Sequence, residues 1–405
     1  MKTRVLVAVS AALVVLRILL APAQAQGPEG AAPTPVDLPP SPDAGTADGG
    51  VPSADDPAPY GHAAPPTEAA RTAIHGSAVR VGLEVFGQYA YQNRKSGGDR
   101  SWFHVFDIPR AQAAIDGRWE RARGRVVLEA TRSASEGSLI GVAGDSLVLR
   151  IREAWASYTP HLSDALERAG GGLELSAGVI PTLTVPELDG TWMLRPIAPS
   201  GLEANGLLSP ADVGAKARFD LPKGYGWIAT AAYNGEGYTN RELNRGKNVE
   251  TAIELHPLAA IKEALPLGLF ASYVAGSSTT AVARADRVTA GALWQGGRLR
   301  AGATFTYAWG FAEFGQQRAL LATAFVRGEP IPRVLLGLRY DHVVRDTNAD
   351  ERNAFSTIWG TAGYRLALPL ETFLALTRTI PTTRAEAEIP GSNTWELRAI
   401  ARVVF

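Results

Sequence analysis

The sequence predicts a transmembrane antiparallel β-barrel of about 16 strands, and three observations support this fold class. Apolar and polar residues alternate over ten or more positions in several segments after residue 77, which is the period of a strand with one apolar and one wet face. Aromatic residues stand near the ends of these segments, as at Tyr307 and Trp309. The chain ends on such a segment, with Phe405 as its last residue.

The N-terminal residues 1–25 are predicted to be a cleaved signal peptide. Lys2 and Arg4 precede an apolar run from Val5 to Leu20, and Ala23-Gln24-Ala25 supplies a small-x-small cleavage site near Ala25. An uncleaved membrane anchor is the alternative, although it needs ~20 uninterrupted apolar residues and Arg17 interrupts this run. No later apolar run reaches ~18 residues, so a helical membrane domain is not expected.

Residues 26–76 are predicted to be a disordered linker rich in Pro, Ala and Asp. They contain 11 of the 27 prolines, including Pro39-Pro40 and Pro65-Pro66, which favour extended backbone. Few of their side chains could offset the entropy of ordering by burial. The segment is a spacer, a periplasmic contact with peptidoglycan, or only a flexible leader.

Residues 77–405 form the predicted outer-membrane β-barrel domain. The clearest alternation covers 79–91, 171–181, 212–221, 249–255, 287–294, 299–309, 334–341 and 395–405, and weaker segments cover 125–131, 317–327 and 355–366. Turn formers such as Gly296-Gly297 and Gly328-Glu329-Pro330 separate them. With 329 residues in the domain, 16 strands leave about 21 residues for each strand and its connection, which suits membrane strands of ~9–11 residues.

A soluble secreted β-sandwich is the alternative that alternation alone leaves open. Its strands are usually ~5–6 residues long, shorter than most segments found here. Aromatic residues at the strand ends, such as Tyr89, Tyr91 and Trp395, fit the interfacial girdles of a membrane barrel. The final strand from Trp395 to Phe405 resembles the recognition signal of bacterial outer-membrane proteins, which implies the barrel-assembly machinery as a partner.

Several segments together resemble the phosphate-selective porins of the O and P type. The motifs that carry the resemblance are Leu149 to Tyr158, Leu175 to Pro181, Tyr233-Asn234-Gly235-Glu236-Gly237 followed by Asn240 and by Asn244 to Glu254, and Leu338-Arg339-Tyr340-Asp341 followed by Asp346 and Asn348. The resemblance covers most of 77–405. It implies a 16-stranded homotrimeric porin of the Gram-negative outer membrane, surrounded by its lipid, that passes small anions such as phosphate. A non-selective general diffusion porin is the alternative within the same class.

Arginine dominates the wet face of the predicted strands. Of the 40 basic residues only six are Lys. The planar guanidinium group of Arg can donate two parallel hydrogen bonds to a phosphate or a carboxylate. The candidate anion-binding residues of the lumen are Arg110, Arg150, Arg152, Lys216, Arg218 and Arg339, with Arg80, Arg118, Arg300, Arg398 and Arg402 as further lumen positions. Arg150 and Arg152 lie two apart on one strand, about 7 Å from each other. The same face also carries acids such as Glu84, Asp212 and Glu250, so many of the arginines could instead form a paired, solvated wall.

The long segment Pro181–Ser209 is the candidate for a constriction loop that folds into the barrel. Its only charged residues are Glu187, Asp189, Arg195 and Glu203. It contains no lysine cluster of the kind that the resemblance would lead us to expect.

Other function classes find little support in the sequence. The 40 basic and 40 acidic residues balance, which is not typical of a nucleic-acid-binding protein. His161-Leu162-Ser163 has the His-x-Ser spacing, but no Gly-x-Ser-x-Gly elbow occurs, so an enzyme is not expected. The absence of cysteine and of a His-Glu-x-x-His motif argues against a thiolate or zinc-protease metal site, and no cofactor is predicted.

Overall fold

Sixteen antiparallel strands form one closed barrel. The computed structural model describes residues 72–74, 77–96, 99–132, 147–239, 246–261, 266–278, 283–311, 314–348, 353–367 and 369–405. The strands are β1 Ser77–Ser96, β2 Asp99–Trp119, β3 Ala122–Arg132, β4 Leu147–Tyr158, β5 Gly172–Pro181, β6 Ala211–Asp220, β7 Gly226–Tyr233, β8 Asn248–Leu255, β9 Leu267–Ala275, β10 Asp286–Gly296, β11 Leu299–Phe311, β12 Phe314–Gly328, β13 Val334–Asp346, β14 Asn353–Ala367, β15 Leu370–Pro381 and β16 Asn393–Val404. The predicted fold class is confirmed.

Each strand pairs with the next along the chain, and the last strand pairs with the first. The closing seam runs in register from Asn393 opposite Lys95 to Val404 opposite Glu84. Phe405 extends the seam by one step, because its N–H and C=O both bond to the backbone of Leu83, at 2.8 and 3.0 Å. A closed barrel leaves no free sheet edge, which is what a hydrocarbon environment requires of strands.

The barrel has two different ends. At one end, called here the turn end, lie Phe405 and connections such as 120–121, 221–225, 297–298 and 329–333. At the other, the loop end, lie longer connections, including 182–210 and 382–392. The helices belong to these connections: α1 Asp164–Arg168 at the turn end, and α2 Thr184–Trp192, α3 Gly201–Ala204 and α4 Thr383–Glu388 in loop-end connections. Among the described residues, no helix is long and apolar enough to cross a membrane.

The outer face of the barrel is apolar and the inner face is polar. Large aliphatic and aromatic side chains remain exposed on the outside: Val81, Leu83, Ile115, Ile151, Val213, Ile228, Leu269, Phe305, Leu338, Leu374 and Leu376. Aromatic residues gather near both rims. Tyr91, Trp102 and Trp395 pack with ring centroids 5.3–5.5 Å apart toward the loop end, and Trp119 and Tyr158 are exposed at the turn end. This is the distribution of a barrel whose outside faces lipid.

Strand β2 contains a bulge that the sequence pattern did not reveal. Ile108 and Pro109 together stand opposite Gly87 of β1, where the pairing shifts between Phe86 and Gln88. The extra residue reverses the alternation along β2, so that Arg110 faces inward on one side of the bulge and Asp107 on the other. Pro109 suits this position because it has no N–H to give to the ladder.

The predicted leader segments fall largely outside the described residues. Neither the signal peptide 1–25 nor residues 26–71 of the predicted linker are described, and Asn240 to Asn244 of the resemblance are also outside. Thr72–Ile74, at the end of the predicted linker, form a short strand that pairs with the start of β1.

Candidate functional site

The connection between β5 and β6, residues 182–210, lies inside the barrel and is called here the inward loop. Helix α2 and the residues after it bury Val185, Leu188, Trp192, Leu194, Ile197 and Leu202. These pack against wall side chains such as Leu293 of β10, Leu321 of β12 and Phe373 of β15. Because these strands lie on one side of a closed barrel, the inward loop packs against that side, across from β2, β3 and β4. The sequence located this loop correctly.

The first turn of the inward loop is anchored by a single buried carboxylate, Glu250 of β8. One oxygen of Glu250 accepts the N–H of Leu183 at 2.9 Å and the other accepts the N–H of Thr184 at 2.9 Å. The Thr184 hydroxyl and the Tyr233 hydroxyl also donate to it, at 2.5 and 2.9 Å. Glu250 therefore binds the free N–H groups at the start of α2, where a negative charge is favoured.

The rest of the inward loop is held by arginines of the wall that donate to its backbone carbonyls. Arg300 donates to Gly190 at 3.1 Å, Arg398 to Ile197 at 2.5 Å, and Arg339 to Pro199. Arg339 also forms two parallel bonds to Asp341, at 3.0 and 2.5 Å, and lies between the rings of Trp192 and Trp359. These three arginines position the loop.

The opposite wall carries a compact cluster around Glu129 of β3, which is fully buried. Arg110 approaches Glu129 at 3.0 Å, Arg150 at 3.2 Å and Arg152 at 3.9 Å. Gln112 donates to the same carboxylate at 2.8 Å. Three guanidinium groups from β2 and β4 thus share one carboxylate on the strand between them.

The side of the inward loop that faces this cluster is also charged. Arg195 pairs with Asp189 and, at 2.6 Å, with Glu203. Burial lowers the pKa of Arg195, but the two carboxylates more than offset this and hold its pKa above the ordinary value. Burial raises the pKa of Glu203, whereas Arg195, Arg110 and Arg152 lower it and set the net shift, which is downward. Both groups are therefore charged at neutral pH.

Tyr238, in the connection after β7, completes the ring of polar groups. Its hydroxyl donates to Glu129 at 2.8 Å, and Arg150 lies over its ring at 5.1 Å from the centroid. The buried position raises the pKa of Tyr238, and the nearby Glu129 raises it further. Asp212 of β6 fixes this connection by accepting the N–H groups of Gly235 and Gly237, at 2.7 and 3.2 Å. Both glycines have positive φ, at 105° and 76°.

We call this ring of residues the constriction: Arg110, Gln112, Glu129, Arg150, Arg152, Asp189, Arg195, Glu203 and Tyr238. Its four arginines exceed its three carboxylates by one charge. Arg152 is 3% exposed, and its Nε and Nη1 atoms have no hydrogen-bond partner among the described residues. The Nε of Arg195 is likewise buried without a partner. The constriction therefore combines a net positive charge with guanidinium donors that have no hydrogen-bond partner among the described residues.

Three of the six predicted anion-binding residues meet at the constriction, and three lie elsewhere. Arg110, Arg150 and Arg152 come together around Glu129. Lys216 is buried on the inner face of β6, and Arg218 pairs with Asp220 at 2.9 Å and stacks over Trp227, nearer the turn end. Arg339 serves as an anchor of the inward loop. Of the further lumen positions, Arg402 pairs with Glu84 and Glu371 in the wall, while Arg80 and Arg118 are exposed near the turn end.

The sequence reasoning missed the residues that organise the constriction. Glu129 was not singled out because its strand has weak alternation, and Tyr238 lies in a connection with no regular period. Arg152 occupies a bulge in β4: Arg150 stands opposite Glu129 and Glu153 opposite Val127, with the pairing shifted between them. The predicted ladder of Arg150 and Arg152 is therefore a bulge that places both guanidinium groups against one carboxylate.

A second acidic pair, Glu187 and Glu254, lies where α2 approaches the turn end. The pKa of Glu187 is raised to about 8, because burial disfavours its charged form and the carboxylate of Glu254 is close by, while Arg218 and Gln295 offset only part of this. His256 is also near, 3.7 Å from Glu254. The neutral form of Glu187 is thus the one that fits the packed loop.

The raised pKa of Glu187 predicts that the inward loop loosens in alkaline solution. Because the pKa of Glu187 is raised, its protonated form stabilises the packed loop. This stabilisation is complete below the ordinary glutamate pKa of 4.5 and is lost as the pH rises through about 8. We expect the noise of single-channel current to grow between about pH 6 and about pH 9. Glu187→Gln should remove the pH dependence, and the exposed turn variant Glu120→Gln should keep it. Equal noise at both pH values in the unaltered protein would contradict the prediction.

The His161-Leu162-Ser163 spacing lies between β4 and α1, at the turn end. The Ser163 hydroxyl accepts the N–H of Leu166 at 3.3 Å as the cap of α1. His161 contacts Glu167 at 3.0 Å and Asp164 at 3.4 Å. Within the described part of the chain, no group of three or more His, Cys, Asp or Glu side chains is arranged to hold a metal ion.

These features define the chain as a closed 16-stranded antiparallel barrel of the outer-membrane porin fold. Solved structures with this fold include an anion-selective porin from Comamonas acidovorans, with a TM-score of 0.57 and 12% identity over 81% of this chain and 100% of that chain. A Salmonella typhi OmpF complex with daunomycin gives a TM-score of 0.61 and 12% identity over 83% and 100%. The outer-membrane channel DcaP of Acinetobacter baumannii gives 0.52 and 12% over 82% and 99%.

Identities near 12% establish a shared fold and nothing finer. No protein-family model matches the sequence, and no curated protein sequence matches it. The resemblance to phosphate-selective porins of the O and P type is therefore not confirmed, whereas the porin barrel is.

Proposed function

We propose that the protein is an outer-membrane channel for passive diffusion of small solutes, with a preference for anions such as phosphate. Support comes first from the barrel itself, which is closed, apolar outside and charged inside. An inward loop that fills one side of the lumen leaves a passage bordered by the constriction. Such an arrangement admits water and small solutes and selects among them by size and charge.

The observation that carries the anion preference is the net positive charge of the constriction, in which Nε and Nη1 of Arg152 have no hydrogen-bond partner among the described residues. Guanidinium groups in a narrow lumen raise the local concentration of anions and replace part of their lost hydration. Arg110 and Arg150 pair with the same carboxylate, Glu129, as Arg152, so a phosphate oxygen could meet more than one guanidinium group. The solved structure of an anion-selective porin on the same fold is consistent with this proposal.

The cellular setting follows from the same features. We place the chain in the outer membrane of a Gram-negative bacterium, in contact with its lipid, after export and cleavage near Ala25. The strongly exposed side chains of Trp102 and Phe106, which share the outer face of β2, would suit the contact between copies of a homotrimer. The C-terminal strand ending at Phe405 would be the part that the barrel-assembly machinery recognises.

Planar-bilayer conductance of the purified protein tests this function. Under a KCl gradient we expect stepwise channels with an anion-selective reversal potential, and added phosphate should reduce the current through them. Channels without selectivity or block would leave the general diffusion alternative. Protein that is folded, as judged by heat-modifiable migration on a denaturing gel, but that forms no channels would overturn the proposal.

A further inference from the structure

A second cavity lies inside the barrel at the loop end, apart from the constriction, and its volume is about 290 Å³. It is bordered by β1, β13, β14, β15 and β16, and by Gly391 and Ser392 of the connection that contains α4. Asn205 of the inward loop, two residues after Glu203, forms another part of its boundary. The cavity is therefore open to a solute that approaches the constriction from the loop end. Its volume is at the lower end of the ~300–1,000 Å³ typical of small-molecule sites.

One side of this cavity is a row of hydroxyl groups. Thr357, Thr379 and Thr394 stand directly opposite one another on three adjacent strands. The hydroxyls of Thr357 and Thr379 are 3.3 Å apart, and since a hydroxyl has one donor and two acceptor sites, this pair keeps capacity for a ligand. The hydroxyl of Ser392, also at the cavity, is buried without a partner among the described residues.

The charged groups of the cavity are two arginines. Arg345 stacks over the ring of Phe355, and its guanidinium carbon lies 4.9 Å from the ring centroid. Arg94 donates from its Nε to Gln92 at 2.7 Å, which fixes the direction of its guanidinium group. None of the described residues that line the cavity is Asp or Glu. Glu388, outside the cavity lining, acts electrostatically on Arg345 and also pairs with Arg384 at 2.8 Å.

Hydroxyl and amide groups beside an aromatic ring and two guanidinium groups suit one class of ligand. We propose that this cavity binds a monosaccharide that carries an anionic group, such as a sugar phosphate. The threonine row, Ser392 and Asn205 would meet the sugar hydroxyls, Phe355 and Ile389 would contact the apolar face of the sugar ring, and Arg345 and Arg94 would bind the anion. The inference rests on the proposed channel function. The cavity would bind the solute at the loop end before the solute reaches the constriction.

Titration calorimetry of the full-length protein in detergent tests the proposal with glucose 6-phosphate, glucose and inorganic phosphate as probes. We expect one glucose 6-phosphate site per chain, weakened about tenfold by Arg345→Gln because a charge-assisted hydrogen bond is lost. Thr379→Val, which removes one hydroxyl at constant shape, should weaken it several-fold. Arg298→Gln, in the turn between β10 and β11, is the matched control and should bind like the unaltered protein. Heat-modifiable migration checks that each variant is folded.

The outcomes separate this inference from the channel function. Unchanged glucose 6-phosphate binding in both Arg345→Gln and Arg94→Gln would show that the cavity is not the site. Phosphate that binds as tightly as glucose 6-phosphate, with the same loss in Arg345→Gln, would remove the sugar from the proposal. Protein that conducts but binds no glucose 6-phosphate overturns the inference alone, whereas absence of channels in the bilayer overturns the function itself.

Discussion

Replacing Arg110, Arg150 and Arg152 together by glutamine is expected to turn the channel from anion-preferring to cation-preferring. The constriction would keep one arginine against three carboxylates, so its net charge would change from +1 to −2. Glu129 would also lose all three of its ion pairs and present its charge to the passage. We expect the ratio of anion to cation permeability to fall about tenfold, measured as the sign and size of the reversal potential under a KCl gradient.

The matched control removes the same charge far from the constriction. Arg80, Arg298 and Arg333 are exposed near the turn end, so the triple glutamine variant at these positions changes the net charge equally. We expect its reversal potential to stay close to that of the unaltered protein. If both triple variants shifted selectivity alike, the overall charge of the barrel would govern selectivity, and the constriction would not be its source.

The sequence reveals most of this barrel because the two solvents differ so strongly. Lipid outside and water inside impose a period of two on strands such as β6 and β16, and these were predicted to within two residues of their observed ends. Strands β2 and β3 were predicted poorly or weakly. In β2 the bulge at Ile108 and Pro109 reverses the alternation, so no single phase fits its 21 residues.

The constriction could be predicted only in part, for a different reason. Arg110 and Arg150 follow from alternation, because both lie on inward positions of their strands. Their meeting at Glu129 depends on the register between β2, β3 and β4, which no local pattern specifies. Tyr238 reaches the same carboxylate across 109 positions of chain, so only the closed fold could place it there.

The inward loop shows how alternation can mislead about arginine. Arg339 was predicted as an anion-binding residue because it lies on the wet face of β13. In the folded barrel it is 1% exposed, since the loop covers it and uses it as an anchor. A wet-face arginine thus lines the passage only on the side that the inward loop leaves open, as Arg150 does.

Replacing Glu250 by alanine is expected to release the start of the inward loop and enlarge the passage. Glu250 accepts four hydrogen bonds, and without it the N–H groups of Leu183 and Thr184 would be left buried and unpaired. We estimate a cost of roughly 3–5 kcal/mol for these losses. The barrel wall does not depend on this contact, so the channel should still form. Its single-channel conductance should rise about twofold, with larger fluctuations, because the inward loop would pack less tightly inside the barrel.

Two further variants decide whether this effect belongs to the loop anchor. Glu250→Gln keeps the shape of the side chain and one acceptor oxygen, so its conductance should lie between those of the unaltered protein and Glu250→Ala. Glu371→Ala removes another inward carboxylate, which is half-buried and pairs with Arg365 and Arg402 of the wall. Because Glu371 makes no bond to the inward loop among the described residues, Glu371→Ala should leave the conductance nearly unchanged. A rise as large as that of Glu250→Ala would mean that the strength of the wall, and not the loop anchor, sets the width of the passage.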